Sequence, residues 1–467
     1  MSIRFYNTMT REREAFEPIN PGEVRLYTCG PTVYDFAHIG NFRAYLFEDL
    51  MKRYLVYRGY RVTHVMNLTD VDDKTIRACR ATDQSLKEYT QPFIDSFYQD
   101  KKILNIVPAD VYPAATDHVQ EMIAMITILI EKEHAYQADD GSVYYRIDSF
   151  PDYGKLARID RKGMRSGVRV DTDEYEKDNV ADFALWKAWT EADGEVFWES
   201  PWGKGRPGWH IECSAMAIKY LGETFDIHCG GVDNIFPHHD DEIAQSEAVT
   251  GKRFVKYWLH CAHLRVEGKK MSKSAGNFHT LRNLLDEGYS GREVRFELLS
   301  AQYRKALNFT RDGLKERRVA LARLDAFRSR LDKIAGEDAG DLPAWAATSE
   351  ADFQQEMDDD LNTQGALAHL FEMVSAGNRA CEGASLSPGQ ARAVLDLLDR
   401  LDTVLGFLQA EAVEIDPELQ DLLDQRQHFR AEKNWAEADR VRDEFSARGW
   451  VVKDTPGGPE LKKLNQS

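Results

Sequence analysis

The sequence predicts an α/β fold, in which a parallel sheet is interrupted by an inserted segment and followed by a helical region. Residues 24–66 show a strand, an amphipathic helix and a second strand, the order of a strand–helix–strand unit. Residues 213–242 show a strand between two helices, and the segment of residues 75–200 between the two patterns is too long for a simple crossover. Beyond residue 310, apolar residues recur at helical spacing.

Composition indicates a globular chain with sizeable cores. Hydrophobic residues make up 43% of the 467 positions and charged residues 30%. The first residues lack an apolar signal segment, and the longest apolar run, residues 122–130, is much shorter than a bilayer span. Six cysteines in a chain of this length do not make a disulfide framework, so we expect a reducing cytoplasm and no membrane.

The formal net charge of −18 is concentrated in one segment. Residues 334–420 contain 18 Asp or Glu against 3 Arg and no Lys, a net charge of −15 that leaves −3 for the rest of the chain. A nearly neutral body can carry basic patches despite an acidic total. Charge therefore neither supports nor excludes RNA as a partner.

The first strand, residues 24–27, leads to Cys29, and the next helix begins at the run His38-Ile39-Gly40-Asn41. Free backbone N–H groups at a helix start, together with the helix dipole, favour phosphate, and His38 can add a hydrogen bond. The alternative is a plain helix start with Asn41 as a cap.

Residues 67–74 follow the second strand, at the edge where open α/β sheets bind ligands. Thr69 is therefore a candidate substrate contact, whereas we expect the acidic residues of this run to form a solvated turn and a helix cap. Further on, Trp209 ends a loop rich in Pro and Gly and is a candidate apolar pocket wall. Its alternative is a rigid turn with buried indoles.

A candidate metal site lies in residues 213–242. His238 and Glu242 are four residues apart and share a helix face, so with Cys213 they offer Zn²⁺ three ligands. Cys29 is the best candidate for the fourth ligand because it ends a strand in the first half of the same fold. A buried thiol beside a surface histidine pair is the alternative. The strand of residues 225–228 lies between these ligands, and we include His228 at its end and Asp233 after the glycine turn as candidate substrate contacts.

A basic segment follows the last strand of the predicted sheet. Lys270 and Lys273 alternate with serines, and such a mobile loop can neutralise a leaving pyrophosphate as charge develops. A solvated basic loop is the alternative. In the C-terminal region we interpret residues 358–360 as a helix-start cap. Arg426, Arg430 and Lys433 are expected to share a helix face, which contacts RNA or forms surface ion pairs with interleaved acids.

Six ordered motifs resemble those of bacterial cysteinyl-tRNA synthetases, a class I aminoacyl-tRNA synthetase family, over residues 5–455. The motifs are Cys29-Gly-Pro-Thr-Val-Tyr, His38-Ile-Gly-Asn, Asn67-Leu-Thr-Asp-Val-Asp-Asp-Lys, Gly-Trp209-His-Ile-Glu-Cys213-Ser-Ala-Met, Phe236-Pro-His238-His-Asp-Asp-Glu242-Ile-Ala-Gln and Lys270-Met-Ser-Lys-Ser. The resemblance implies an α/β Rossmann-type core with an inserted domain, an α-helical bundle and a small C-terminal anticodon-binding domain. The expected regions are the first half of the core (1–120), the insertion (121–200), the second half with the zinc site (201–265), the signature loop and stem-contact region (266–315), the bundle (316–410) and the anticodon-binding domain (411–467).

The resemblance also implies roles for matching residues. It makes Cys29, Cys213, His238 and Glu242 the ligands of one Zn²⁺, assigns ATP contacts to His38, Gly40 and Asn41, and makes Lys270 and Lys273 the mobile-loop lysines. L-cysteine, ATP with Mg²⁺ and tRNA(Cys) are the expected partners of a monomer. Cys229 departs from the family pattern, where a glycine is common, and we expect it near the metal, where it can compete for zinc or oxidise.

Two rival functions share part of this pattern. An ATP-dependent cysteine ligase acting on an amino sugar has the same zinc site and nucleotide motifs, but a small acceptor needs no long C-terminal region. A zinc-stabilised RNA-binding protein without catalysis has no use for the lysine loop at residues 270–274.

Overall fold

The computed structural model describes residues 2–159, 169–170, 181–271, 277–410, 417–455 and 458–463. The chain divides into two compact units, one formed by residues 1–281 and 291–408 and the other by residues 282–290 and 409–467. Among the helices of these described ranges, none has both the length and the apolar character needed to cross a bilayer.

The strands and helices are numbered along the chain. The strands are β1 Arg4–Asn7, β2 Glu12–Ala15, β3 Glu23–Thr28, β4 Arg61–Met66, β5 Ala135–Gln137, β6 Val143–Tyr145, β7 Arg169–Val170, β8 Asp182–Ala188, β9 Gly205–Pro207, β10 Phe225–Gly231, β11 Val255–Cys261, β12 Leu264–Val266, β13 Lys269–Lys270, β14 Leu307–Phe309, β15 Trp450–Thr455 and β16 Gly458–Lys463. The helices are α1 Ile39–Tyr57, α2 Asp73–Ala81, α3 Leu86–Ile103, α4 Val119–Glu131, α5 Trp209–Leu221, α6 His238–Thr250, α7 Leu281–Asp286, α8 Gly291–Leu299, α9 Arg311–Ile334, α10 Ala344–Asp358, α11 Thr363–Glu382, α12 Pro388–Leu405, α13 Pro417–Ala431 and α14 Trp435–Ala447.

The central sheet of the larger unit has the strand order β11-β10-β3-β4, and every neighbouring pair is parallel. Strand β3 continues through α1 to β4 on one side, and β10 continues through α6 to β11 on the other. The chain therefore leaves β3 and β10 in opposite directions, which opens a crevice at their carboxyl ends. This is the α/β parallel architecture that the sequence predicts.

The insertion between β4 and β10 contains its own sheet, with order β5-β6-β8-β7, and β9 pairs with β8. This sheet shares one continuous apolar core with the central sheet. The core includes Tyr145, Phe183 and Trp186 from the insertion, and Phe225 and Trp258 from β10 and β11. Since a single residue, Gly208, separates β9 from α5, the insertion also sets the start of α5.

The helical region corrects one sequence interpretation, because residues 358–360 do not cap a helix start. Asp358 ends α10, and Asn362 caps α11 by accepting from the N–H of Gly365. Asp360 is buried with φ +62° and accepts hydrogen bonds from the backbone N–H of Tyr6 and the hydroxyl of Tyr303. The acidic run therefore makes a sharp turn, and the carboxylate of its last residue, Asp360, is hydrogen-bonded to β1 and to Tyr303.

The smaller unit packs α13 and α14 against the β15–β16 hairpin around Leu423, Val441 and Phe445. Here the predicted basic face is wrong. Helix α13 ends at Ala431, Arg426 is buried, and Lys433 has φ +60° because Asn434 caps the next helix. Surface ion pairs are present on the following helix, α14, where Arg440 pairs with Glu437 at 2.7 Å and Arg442 with Asp439 at 3.1 Å.

Replacing Arg295 with methionine should destabilise the larger unit by about 3–5 kcal/mol, because the change leaves Asp49 with less compensation in the interior. The fully buried guanidinium donates to Asp49 on α1 at 2.5 Å and to the carbonyls of Leu104 and Leu405. The urea midpoint of the transition followed by tryptophan fluorescence measures the effect.

The matched control is Arg392→Met, since Arg392 makes a partly exposed pair with Asp396 one turn along α12. Such a pair contributes less than about 1 kcal/mol. Equal shifts for the two variants would contradict the role assigned to Arg295.

Candidate metal centre and nucleotide site

Four residues predicted from the sequence converge at the crevice between β3 and β10. Cys29 directly follows β3, Cys213 lies in the second turn of α5, and His238 and Glu242 lie one turn apart on α6. One ligand atom from each lies within 4.8 Å of the other three. Cys213, His238 and Glu242 are buried, and Cys29 is partly exposed. The structure thus brings together the two thiols, the imidazole and the carboxylate.

Local geometry explains this convergence. The four-residue spacing places His238 Nε2 3.1 Å from Glu242 Oε1 on α6. After Cys29 the chain packs directly against the exit of β4, where Gly30 N–H donates to Asn67 Oδ1 at 2.9 Å. A Cβ on Gly30 would lie 1.7 Å from the backbone oxygen of Asn67, so only glycine permits this approach.

The electrostatics of the cluster suit a cation. Burial raises the pKa of the Cys213 thiol well above its ordinary value, with the negative charges of Cys29 and Glu242 adding to the effect. The pKa of Cys29 is also raised, since its hydrogen bond with Cys213 lowers it but burial and Glu242 outweigh that bond. Burial opposes ionisation of Glu242 too, yet His228 and His238 lower the pKa of its carboxyl.

The donor set therefore fits a divalent metal of the zinc type. Thiolate, imidazole and carboxylate are the ligands that Zn²⁺ takes in proteins. A bound cation would replace the protons of two buried thiols whose raised pKa values otherwise keep them neutral. The pKa of His238 supports the same conclusion. Although burial lowers its pKa, the charges of Cys213 and Glu242 raise it well above the ordinary value, so a positive charge is favoured at this position.

A second donor set, which the sequence interpretation missed, overlaps the first. Cys29 and Glu242 also come within 4.8 Å of His228 and His239. His239 Nδ1 lies 2.8 Å from Nε2 of His260, and burial with neighbouring imidazoles holds the pKa of His239 well below its usual value. In the sequence, the adjacent histidines at positions 238 and 239 were the signal from which this second set could have been predicted. Because it contains one thiol rather than two, the second set is the weaker site for a soft metal.

Two candidate substrate contacts border the cluster. Thr69 is buried, and its hydroxyl donates to Glu212 Oε2 at 2.9 Å, so it positions the residue that precedes Cys213. Trp209, the first residue of α5, stacks on His238 with ring centroids 4.4 Å apart and an interplanar angle of 26°. Its indole therefore forms an apolar wall beside the metal donors.

The residues at the end of β10 lie in different surroundings. His228 is buried and its Nε2 lies 3.0 Å from Glu242 Oε2, so it supports a metal donor. Asp233 is exposed on the turn after β10. Cys229 points to the opposite face of the strand, where its sulfur lies 3.9 Å from that of Met51. It belongs to neither donor set found among the described residues.

The acidic run after β4 differs from the solvated turn we expected. Asp72 caps α2 by accepting from the N–H of Thr75, as predicted. Asp70, however, is buried and accepts from the backbone and hydroxyl of Thr116. The carboxylate ties the edge of the central sheet to the start of the insertion, a contact that local sequence does not reveal.

The helix-start motif lies against residues 278 and 279, which come shortly after the basic segment. His38 Nδ1 accepts from the N–H of Asn41 while the Asn41 side chain accepts from the N–H of His38, a reciprocal cap. Phe278 packs edge-on against the His38 ring at 5.1 Å, and the Ile39 N–H donates to the His279 carbonyl. The chain segment that follows the basic motif thus contacts the start of α1.

Gly40 permits close packing at this start of α1 because it has no side chain. A Cβ there would lie 2.9 Å from the His38 ring and 3.0 Å from Cε of Met271. Lys270 belongs to β13, which pairs with β12, whereas Lys273 lies outside the described residues.

Three family models match the chain in sequence order. The model described as tRNA synthetases class I (C) catalytic domain matches residues 15–319, a DALR domain matches residues 352–409, and a cysteinyl-tRNA ligase anticodon binding domain matches residues 412–459. Curated relatives match over nearly the full length. Identity is 50% with the cysteine–tRNA ligase of Chlamydia felis (strain Fe/C-56) and 48% with that of Protochlamydia amoebophila (strain UWE25), over 99% of this chain and 98% of each relative.

Solved structures share the architecture at low identity. Mycobacterium tuberculosis methionyl-tRNA synthetase in complex with methionyl-adenylate aligns with TM-score 0.59 and 15% identity over 86% of this chain and 94% of that chain. The ternary complex of Agrobacterium radiobacter K84 agnB2 LeuRS with tRNA and LeuAMS aligns with TM-score 0.60 and 12% identity, over 84% of this chain and 85% of that one. These likenesses show the class I synthetase fold.

Proposed function

The chain belongs to the cysteine–tRNA ligase family of class I synthetases, and on that premise we propose that it joins L-cysteine to the 3′ end of tRNA(Cys) with ATP as the energy source. The observation that carries this function is the cluster of two thiols, one imidazole and one carboxylate at the crevice of the central sheet. It lies beside an aromatic wall and on the same sheet edge as the helix start that receives phosphate.

We assign Zn²⁺ to Cys29, Cys213, His238 and Glu242, and Mg²⁺ to the phosphates of ATP. The zinc ion, when bound, supplies a thiophilic centre beside Trp209. Sulfur binds such a centre strongly and a serine hydroxyl binds it poorly. A polar pocket alone rejects a substrate that differs by one atom only weakly. The donor cluster therefore accounts for selection of cysteine over serine, without a separate editing site.

The remaining chemistry follows from positioning and charge. The cysteine carboxylate, already ionised, attacks the α-phosphorus of ATP, which forms cysteinyl-adenylate and releases pyrophosphate. The N–H groups at the start of α1, with His38 and Asn41, receive the phosphates. Lys270 and Lys273 neutralise charge on the departing pyrophosphate. The terminal ribose hydroxyl of tRNA then takes the cysteinyl group, and AMP leaves.

We further propose that the enzyme acts as a monomer in the cytoplasm. A reducing compartment keeps the thiol ligands available, and all six cysteines of the structure are unpaired. Light scattering after size-exclusion chromatography tests the oligomeric state.

The rival function, cysteine transfer to an amino sugar, predicts a different acceptor. Cysteine-dependent ATP–pyrophosphate exchange tests the first step for both functions. Adding either bulk tRNA or a glucosamine-containing acceptor to the same preparation then separates them. We expect cysteine to be esterified to tRNA and no amide product with the sugar; the reverse result would reject the proposal.

Deleting residues 417–467 should leave adenylate formation within about twofold of the full chain and lower kcat/KM for tRNA charging about 100-fold or more. This segment contains most of the smaller unit, and binding energy from remote parts of a substrate positions its reacting end. Pyrophosphate exchange serves as the internal control for the integrity of the larger unit. Undiminished charging would show that the segment does not read the anticodon.

A further inference from the structure

A buried chain of polar groups extends from the metal donors towards the insertion. His238 Nδ1 lies 2.9 Å from Nδ1 of His210 on α5, and His210 Nε2 lies 3.3 Å from Asp241 Oδ2. His210 is 1% exposed and Asp241 is fully buried. The carboxylate thus faces the imidazole that touches a metal donor, although Asp241 is not itself a member of the donor set.

The Asp241 carboxylate determines which tautomer of His210 is favoured. Its negative charge lies 3.3 Å from Nε2 of His210, so a proton on that nitrogen is stabilised and a lone pair there is disfavoured. Nδ1 of His210 then has a lone pair and requires an N–H from Nδ1 of His238. When His238 is neutral, as a metal-binding imidazole must be, its Nε2 keeps the lone pair, and this atom lies 3.1 Å from Oε1 of the second α6 donor, Glu242.

The insertion holds Asp241 in place. Tyr153 donates its hydroxyl proton to Asp241 Oδ1 at 2.5 Å. The neighbouring carboxylate, Asp240, accepts from the backbone N–H groups of Leu156 and Ala157, both at 3.0 Å. The two adjacent acids therefore fasten the same segment of the insertion to the first turn of α6, but only Asp241 reaches His210.

We propose that Asp241, acting through His210, is a positioning residue that selects the His238 tautomer with Nε2 available to the metal, and that Tyr153 holds this carboxylate. The inference rests on the metal site of the proposed function. Hydrogen-bond partners behind a metal-bound histidine commonly change metal affinity 10- to 100-fold when removed. Since Tyr153 belongs to the insertion, this domain contributes to metal retention as well as to the fold.

Asp241→Asn in the zinc-loaded, full-length protein tests this role. An amide can present N–H to His210 and so permit the opposite tautomer. Transfer of zinc to a chromogenic chelator should be about 10- to 100-fold faster than in the wild type. The cobalt-substituted variant should show altered d–d bands. Asp240→Asn is the matched control, because it loosens the same segment without touching His210; its zinc release should stay within about threefold of the wild type.

A mutant cycle separates positioning from general loosening. His210→Gln should accelerate zinc release as Asp241→Asn does, and the double variant should release zinc no faster than either single variant, because both act along one chain. Equal rates of zinc release from the Asp241 and Asp240 variants, or additive effects in the cycle, would overturn this inference but leave the proposed function intact. A wild-type protein that takes up no zinc would refute the proposed metal site and this inference with it.

Discussion

Replacing Cys213 with serine should empty the metal centre and reduce cysteine-dependent ATP–pyrophosphate exchange at least about 1,000-fold. A serine hydroxyl stays protonated near neutral pH and is a poor zinc ligand, so the cluster loses one of its two thiolates. The remaining Cys29, His238 and Glu242 retain a charged, buried site with incomplete coordination. Metal content by mass spectrometry and exchange with cysteine or serine as substrate measure the two consequences together.

The matched control is Cys229→Ser. Cys229 is as deeply buried as Cys213 but faces Met51 on the opposite side of β10. This variant should keep its zinc and most of its exchange activity.

The same experiment discriminates between the two overlapping donor sets. Loss of Cys213 spares the set formed by Cys29, His228, His239 and Glu242. If the Cys213 variant retains zinc and His239→Gln loses it, the metal occupies the second set, and the assignment of two thiolate ligands is incorrect.

Replacing Lys273 with alanine should slow pyrophosphate exchange by about 100- to 10,000-fold, with little change in zinc content. The ammonium group neutralises charge that develops on the departing pyrophosphate, and such electrostatic contributions are among the largest in phosphoryl and nucleotidyl transfer. Although Lys273 lies outside the described residues, the chain on both sides of it reaches the start of α1, through Met271 beside Gly40 and Phe278 beside His38.

Lys269→Ala provides the control for charge alone. Lys269 is exposed and comes directly before the signature. Its replacement by alanine removes the same charge as the Lys273 variant does. Its exchange rate should remain within about threefold of the wild type. If the two variants lose activity equally, general charge in this segment, rather than a clamp at Lys273, explains the effect.

Periodicity and local spacing were sufficient to predict the elements that carry the site. The strand before Cys29, the helix that begins after His38 and the helix with His238 and Glu242 on one face are all present. Each depends on contacts within a few residues, which sequence expresses directly. The errors arose where distant segments compete for a polar group. Asp360 turns inward to meet Tyr6 and Tyr303, and Asp70 bonds Thr116 rather than water.

The sequence by itself determined the α/β order of the larger unit, and it predicted the four residues that the crevice brings together. Cys213, His238 and Glu242 followed from local spacing, and Cys29 from its place at the end of a strand. Only the tertiary structure decided how those donors are supported. His210 contacts both His238 and Asp241, and Tyr153 reaches Asp241 from the insertion, because parallel strands far apart in the chain share one edge of the sheet. Strand alternation likewise turned Cys229 away from the cluster while directing its neighbour His228 towards Glu242.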